Sequence, residues 1–214
     1  MPRKPITADK IKTEAHIERF FNTAKPASIP PEQVAEVIGR FPQSAPAKTF
    51  RRWGDDDRKF YELMNLDDPE AVVWRTAMGQ FLATIKPDTS GRTLYRGWKF
   101  GSKDDLASFL KKELADGVFT NTRPGMSSTY STEVATRGKF LSGHAMIWEI
   151  RSPKTARDFE EILKVAGAKY PDEREAIFPE GARLRQVGPP RKRNIIRNGQ
   201  KIRYLHYVFE EMEP

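Results

Sequence analysis

The spacing of hydrophobic residues changes near residue 88 and divides the chain into two regions. In residues 1–86, apolar positions recur every three or four residues, as in amphipathic helices. This spacing and the helix-end signals predict four helices. The first covers about 8–23 with Thr7 as N-cap, the second is PPEQVAEVIGRF, opened by Pro30 and Pro31, the third starts at Asp55–Asp57 and runs through Met64, and the fourth follows an Asp68 cap and Pro69 and ends before Pro87. SAPAKTF, between the second and third helices, is predicted to be a loop or short turn. We therefore expect a helical N-terminal region over 1–87.

From residue 88 onward, short apolar and polar alternations are typical of strands. Strands are predicted in TLYRGWKF, GVFTNT, GMSSTYS, HAMIWEIRS, EAIFP, ARLRQV and KIRYLHYVFEEM. Ser102 and Asp105 resemble a capping box that opens the helix DDLASFLKKEL. Asn198-Gly199 predicts a hairpin turn between 190–197 and 201–211. Short strands with few helices between them favour an α+β fold, so we expect residues 88–214 to form the second region of one compact unit.

Composition excludes several kinds of site. The 214 residues include no cysteine, which rules out disulfides, thiol nucleophiles and Cys-ligated zinc. The three histidines, His16, His144 and His206, are too far apart in sequence to favour a histidine-based metal site or triad, so we expect no metal. No signal peptide and no apolar run of about 18 residues is visible. We expect a monomer that acts inside a bacterial or host cell, in the cytoplasm, without membrane association.

The formal charge of +8 favours anionic partners. Basic residues are concentrated in PPRKRNIIRNGQKIR, residues 189–203, and Arg51-Arg52-Trp53 adds a basic and aromatic patch. One interpretation is a non-catalytic module that binds RNA, or a basic protein that docks on a ribosomal assembly. A solvated hairpin face without a nucleic-acid partner explains the same residues.

Glu173 and Glu175 are two carboxylates one residue apart, directly before the apolar residues Ile177 and Phe178. If a strand begins at Glu173, both side chains lie on one side of it. Carboxylates that share a face repel each other, which a purely structural strand would avoid. Paired carboxylates suit the cleavage of a glycosidic bond, where positive charge develops on a sugar carbon. A solvated loop is the alternative.

Two further segments carry candidate chemistry. In TLYRGWKF, Arg96 could hold a phosphate through two parallel hydrogen bonds, and Gly97 would let the backbone approach a ligand closely. In GMSSTYSTE, the hydroxyls of residues 127–129 could hold a carboxylate or satisfy local backbone groups.

The order Arg, Ser-Thr, Glu-x-Glu resembles the mono-ADP-ribosyltransferases of the Arg–Ser–Glu class, which includes bacterial toxins and bacteriophage enzymes. LYRG matches the arginine strand of that family, and SST at 127–129 resembles its Ser-Thr-Ser element. EREAIFPEGARLRQV is similar to its glutamate turn and the strands after it, and IRYLHYVFEEM to its closing strand. The resemblance covers about residues 88–212. It implies two roughly perpendicular β-sheets that form an NAD cleft, with the N-terminal helices packed on them.

The resemblance also implies roles for the acidic and hydroxyl residues. Glu175 would hydrogen-bond the nicotinamide ribose and stabilise positive charge as nicotinamide leaves. Glu173 would orient and help deprotonate the acceptor, and a glutamate there is associated with arginine acceptors. Ser128 would hold Glu175 in place, and Thr129 would support the strand.

The same resemblance implies that three other residues bind NAD. Arg96 would bind the NAD phosphates, the backbone at Gly97 would meet the nicotinamide amide, and Phe140 would pack on the nicotinamide ring.

Two positions depart from the family pattern. Tyr130 stands where the third element residue is usually serine, so either a tyrosine is tolerated there or the register begins at Ser127. A basic residue that commonly follows the phenylalanine is missing, and Arg137 or Lys139 could substitute for it.

From these features we expect an NAD-dependent protein-arginine mono-ADP-ribosyltransferase that acts on a host or target protein. An NAD glycohydrolase would use the same residues, and the RNA-binding module stays as a further alternative. A doubly wound dinucleotide fold and a P-loop are disfavoured, because neither glycine motif is present.

Overall fold

The computed structural model of the chain describes residues 6–65, 69–123, 125–138, 140–141 and 143–213. The N-terminal region contains four helices, α1 Glu14–Thr23, α2 Pro31–Arg40, α3 Ala45–Asn65 and α4 Pro69–Thr84. The predicted helix opened by Pro30 and Pro31 is confirmed, with Pro30 as N-cap and Pro31 as the first helical residue of α2, and α4 ends before Pro87 as predicted. The predicted Asp68 cap lies outside the described residues.

Two predictions in this region are wrong. Residues Ala8–Lys10 form a separate 3-10 turn, and α1 begins only after Thr13, so Thr7 does not cap one continuous helix. SAPAKTF is not a loop, since α3 begins at Ala45 and passes through Asp55–Asp57. The reason is that Ser44 accepts a hydrogen bond from the Ala47 N–H at 3.4 Å, and a proline in a first turn lacks only an N–H that would have no helical partner.

The C-terminal region is built from strands with short helices between them, and the predicted α+β class is confirmed. The strands are β1 Leu94–Phe100, β2 Val118–Thr120, β3 Gly125–Thr129, β4 His144–Arg151, β5 Arg157–Asp158, β6 Glu175–Pro179, β7 Arg183–Gln186, β8 Arg191–Arg197 and β9 Gln200–Glu211. The helices are α5 Lys103–Glu113, α6 Thr132–Ala135 and α7 Glu160–Ala166. The sequence pattern did not reveal β5, α6 or α7.

Local chemistry explains two of these boundaries. Ser102 Oγ accepts the Asp105 N–H at 3.0 Å, which caps α5 as predicted. Asn198 and Gly199 have φ of 48° and 73°, so the predicted hairpin turn between β8 and β9 is confirmed.

Hydrogen bonds join the strands in the order β2-β7-β9-β4-β1-β3-β6-β5, with β8 paired to β9. β1 pairs with β4 along its whole length, but it meets β3 only through the pair Tyr95↔Thr129. The strands therefore fall into two groups, β2-β7-β9-β4-β1 and β3-β6-β5, that are connected at a single position.

Two large hydrophobic cores lie on opposite sides of β6. Ile177 packs with the N-terminal helices and α7, whereas Ala176 and Phe178 pack with α5 and the other strands around Trp148. The helical region is thus packed on the strands through β6. Among the described residues, no helix has the length and apolar character needed to cross a membrane.

Candidate active site

A cavity of about 370 Å³ lies between β1, β3, β6, α3 and α6. The seven residues to which the family resemblance gives a role all border this cavity: Arg96, Gly97, Ser128, Thr129, Phe140, Glu173 and Glu175. They come from segments up to 79 residues apart in sequence (175 − 96 = 79), so the fold brings separated motifs to one place.

Glu175 is the first residue of β6 and is only 7% exposed. Its Oε1 accepts a hydrogen bond from the indole Nε1 of Trp53, on α3, at 2.9 Å. A carboxylate buried this deeply needs hydrogen-bond donors to offset the lost hydration. One of those donors therefore comes from the N-terminal helical region.

Trp53 is a cavity residue that the sequence reasoning placed elsewhere. It was grouped with Arg51 and Arg52 as an exposed patch for nucleic acid, but its side chain is 1% exposed and belongs to the core. Its spacing of three residues from the equally buried Phe50 was the helical signal that could have revealed this. The two arginines that precede Trp53 favoured an exposed, basic interpretation of this segment instead.

Glu173 is not part of the strand, which corrects the expectation that both glutamates alternate along it. It ends the 3-10 turn Pro171–Glu173, and Arg174, with φ of 49°, separates that turn from β6. Thr129 Oγ1 donates to the Glu173 carbonyl oxygen at 2.6 Å, and the Tyr130 N–H donates to the Arg174 carbonyl oxygen at 3.1 Å. The end of β3 thus holds the turn that carries Glu173.

The register between β3 and β6 decides which serine faces Glu175. Thr129 lies opposite Glu175, Ser128 opposite Ala176 and Ser127 opposite Ile177. Since opposite residues share a face and neighbours alternate, Ser127 and Thr129 lie on the Glu175 face and Ser128 on the other.

This structure shows no hydrogen bond from Ser128 to Glu175, and the expectation that Ser128 holds Glu175 stays a prediction. Ser128 Oγ is buried and has no hydrogen-bond partner among the described residues. Ser127, the alternative register considered above, is half-buried and also borders the cavity.

Arg96 lies at the junction of two cavities. Its Nη1 donates to the Ser127 carbonyl oxygen, and its guanidinium carbon is 4.4 Å from the centroid of the Trp98 ring. It also borders a second cavity of about 140 Å³, together with Trp98 and Asn121. One guanidinium could therefore contact groups that enter from either side.

The packing around position 97 requires a glycine there. A Cβ at this position would lie 2.4 Å from the carbonyl oxygen of Ala135 and 2.7 Å from Cβ of Phe140. The absence of a side chain at Gly97 lets α6 and Phe140 close over β1. The close approach expected of a ligand is thus made first by Ala135 and Phe140.

Tyr130, the departure from the family pattern, connects β3 to the start of the C-terminal region. Its hydroxyl donates to Asp88 Oδ2 at 2.8 Å, and the Arg92 guanidinium carbon lies 3.6 Å from its ring centroid. Burial, reinforced by the nearby charges of Asp158 and Asp88, raises the pKa of Tyr130. Burial also favours protonated Asp88, but hydrogen bonds from Ser90 and Tyr130 outweigh it and lower the pKa of Asp88.

Two other groups near the site were considered in the sequence analysis. Lys139 lies outside the described residues, and the Arg137 carbonyl oxygen accepts the Phe140 N–H at 2.8 Å.

Burial, with the charge of Glu149, raises the pKa of Tyr95, which also borders the cavity. In the ranges that the structure covers, no group of three or more acidic or histidine side chains is arranged to hold a metal ion.

The basic hairpin β8–β9 projects its charges into solvent. Its exposed basic residues are Arg191, Lys192, Arg193, Lys201 and Arg203. Its inner face, with Ile195, Ile202 and Tyr204, packs on the segment that follows Phe140. The hairpin therefore also supports the segment behind one wall of the cavity.

Comparisons with known proteins agree with this architecture. No family model and no curated protein matches the sequence. The Vis toxin of Vibrio splendidus, an ADP-ribosyltransferase, is similar in structure at a TM-score of 0.52 and 14% identity, over 86% of this chain and 83% of that one. Plx2a, an ADP-ribosyltransferase toxin of Paenibacillus larvae, gives a TM-score of 0.55 at 13% identity, over 88% of this chain and 100% of that one.

The type III effector XopAI of Xanthomonas axonopodis pv. citri gives a TM-score of 0.53 at 15% identity, over 97% of this chain and 84% of that one. The structural similarity shows that the fold is shared. At identities this low it does not show the activity, which has to be argued from the residues of the site. The chain has the fold of the bacterial ADP-ribosyltransferase toxins.

Proposed function

We propose that the chain transfers ADP-ribose from NAD to an arginine side chain of a target protein and releases nicotinamide. The observation that carries the proposal is the single cavity that brings together Arg96, the hydroxyl strand β3, Glu173 and Glu175. Its fold relatives, Vis and Plx2a, are ADP-ribosyltransferases. NAD is a substrate in this reaction, and its nicotinamide is the leaving group.

The two glutamates differ in environment in the way this reaction requires. The bond between the ribose C1′ and the nicotinamide nitrogen breaks, and positive charge develops on the sugar. Glu175 is buried, so its negative charge would act on that carbon in a medium of low dielectric constant. Glu173 is more exposed, on a turn at the edge of the same cavity.

Glu173 is therefore the better placed of the two to meet a protein substrate. A new bond forms between C1′ and a guanidinium nitrogen of the acceptor, which loses a proton as it attacks. A protonated guanidinium is a poor nucleophile, and an adjacent carboxylate that accepts this proton assists the step. Glu173 would have that role.

The remaining cavity residues would bind the dinucleotide. Arg96 borders both cavities, so its guanidinium could engage the phosphates that connect the two halves of NAD. Phe140, half-buried at the border of the cavity, would pack on nicotinamide, and the backbone of Gly97 would meet its amide. Thr129 would maintain the Glu173 turn, and the register, which puts Ser127 on the Glu175 face, favours Ser127 over Ser128 as the serine that contacts Glu175.

An NAD glycohydrolase would use the same residues with water as the acceptor. The two activities are separated by incubating the chain with NAD labelled on its adenylate phosphate and a cell lysate. Label on protein, mapped to arginine and lost in the Glu175→Gln variant, supports the proposal. Free labelled ADP-ribose without labelled protein would establish hydrolysis instead.

The exposed basic hairpin supports RNA association as a second, separable property. Residues 189–203 carry six basic side chains and no acidic ones. The burial of Trp53 removes the aromatic part of that interpretation, so only phosphate contacts remain. Affinity for RNA that falls steeply with salt, and that is lost when Lys192 and Arg203 are changed to Gln, would support it. Salt-independent or absent binding would reject it.

A further inference from the structure

The hydrogen bond from Trp53 to Glu175 connects the two regions of the chain at the candidate catalytic carboxylate. We infer that Trp53 is a positioning residue, whose indole N–H holds the Glu175 carboxylate in the orientation that the reaction requires. This inference rests on the proposed function, because it concerns the same carboxylate. It adds a role at the site for the helical region, to which the family resemblance over residues 88–212 assigns none.

The contact is short and shielded from water. The indole Nε1 lies 2.9 Å from Glu175 Oε1, Trp53 is 1% exposed and Glu175 is 7% exposed. An indole has a single N–H in the plane of a rigid ring, so it fixes an acceptor in one direction. A bond to an ionised acceptor is stronger than one between neutral groups. The pair is thus suited to restrict how the carboxylate rotates.

The ring itself is held in a fitted position. A Cβ on Gly125 would lie 2.8 Å from Cη2 of Trp53 and 2.9 Å from Cγ2 of Ile177. Gly125 lies on β3 and Ile177 on β6, so the indole packs directly on the strands that carry the site. Movement of the ring away from Glu175 would have to disturb both strands.

Neighbouring residues fasten the same stretch of α3 to the segment before the Glu173 turn. Arg51 Nε donates to the Ala166 carbonyl oxygen at 2.6 Å, and Asp55 Oδ1 accepts the Lys169 N–H at 2.5 Å. Between them, a Cβ on Gly54 would lie 2.7 Å from Cβ of Ala168. The backbone of α3 is therefore fixed at residues 51–55, which sets the position of the indole.

The test compares four full-length proteins: the wild type, Trp53→Phe, Glu175→Gln and the double variant. Nicotinamide release from NAD is measured under single-turnover conditions. Loss of one hydrogen bond to a charged group should lower the rate of Trp53→Phe about tenfold to hundredfold. In the Glu175→Gln background the same change should matter less than about twofold, because the carboxylate that the indole orients has been replaced by a neutral amide. Losses that simply multiply in the double variant would overturn the inference.

A spectroscopic signature separates this role from packing alone. With ¹⁵N-labelled tryptophan, the four indole N–H signals are resolved by NMR, and the signal absent from Trp53→Phe belongs to Trp53. Glu175→Gln should move that signal upfield, since an amide oxygen is a weaker acceptor than a carboxylate. An unmoved signal would contradict the inference.

Phe21→Leu is the matched control, because Phe21 is buried in the same core and does not border the cavity. It should keep the rate within about twofold, and a rate lost as far as in Trp53→Phe would point to packing alone. If Trp53→Phe does not fold, Gly125→Ala replaces it. That change displaces the indole and keeps its N–H, and it should lower the rate and move the Trp53 signal. A wild type without NAD turnover would defeat the proposed function, whereas the NMR comparison would still decide whether the indole holds the carboxylate.

Discussion

Thr129 donates its hydroxyl hydrogen to the backbone carbonyl oxygen of Glu173 at 2.6 Å. The bond runs from the end of the hydroxyl strand to the turn that carries the first glutamate. Because Thr129 also lies opposite Glu175 in the register, one residue contacts the backbone at Glu173 and pairs with Glu175. The acidic pair is therefore held by the fold from two sides, although only Glu175 belongs to a strand.

The two glutamates should be separable by mutation. Glu175→Gln should reduce both transfer to protein and NAD hydrolysis about 10²–10³-fold, because it removes the charge that stabilises the developing cation. Glu173→Gln should lose transfer but retain part of the hydrolysis, since water needs no deprotonation by that group. Both activities are measured with labelled NAD, and equal losses of both in the two variants would argue against separate roles.

The two serines should also differ, in the order that the register sets. Ser127→Ala should lower NAD turnover about tenfold or more, since it removes the hydroxyl on the Glu175 face. Ser128→Ala should retain turnover within a few-fold and leave the melting temperature unchanged or slightly higher. The reason is that it deletes a buried oxygen without a partner among the described residues. The reverse order would show that Ser128 is the functional serine after all.

Gly97→Ala should be strongly destabilising, by about 3 kcal/mol or more, because the new methyl group would meet a backbone oxygen at 2.4 Å. Gly79→Ala, on α4, is the matched control. A Cβ there meets nothing within 4 Å, and the change should stabilise the protein by about 0.5–1 kcal/mol. Urea denaturation measures both, and equal effects would contradict the close approach at Gly97.

Asp88 gives a pH-dependent contribution to stability. Its pKa is lower in the folded protein than in the unfolded chain, so its contribution is present above about pH 4 and is lost as pH falls through the folded pKa. Asp88→Asn should therefore lower the free energy of unfolding by about 1–2 kcal/mol at pH 7. The difference from wild type should shrink toward pH 3. A difference that stays constant over this range, measured by urea denaturation, would show that the charge is not involved.

Much of the fold could be predicted because local signals and tertiary structure agree. The hairpin at Asn198-Gly199 and the capped helix after Ser102 are determined by residues that are adjacent in sequence. By contrast, the prediction places the start of α3 at Asp55–Asp57 and not at Ala45, because a proline near its true start resembles a loop signal and acidic residues are typical of a first helical turn. Its formation is favoured by burial of Phe50 and Trp53, which depends on contacts more than 100 residues away.

The sequence predicted which segments form the candidate site. It did not predict how their side chains are arranged relative to one another. Arg96 and Glu175 could be named because their motifs are local and resemble a known family. The face of each hydroxyl depends on the register between β3 and β6, which no short motif encodes. The spacing suggested one strand for both glutamates, but the positive φ of Arg174 breaks that alternation.

β6 faces both large cores and also carries Glu175. Its five residues are therefore constrained both by the stability of the fold and by the chemistry of the candidate site. A saturation library over this strand, scored for both cellular abundance and activity, should separate them. Polar variants of Ile177 and Phe178 should disappear from the soluble pool, whereas isosteric variants of Glu175 should accumulate normally and remain inert. Such variants of Glu175 would then serve as stable, inactive versions of the protein for capturing the target that the proposed function requires.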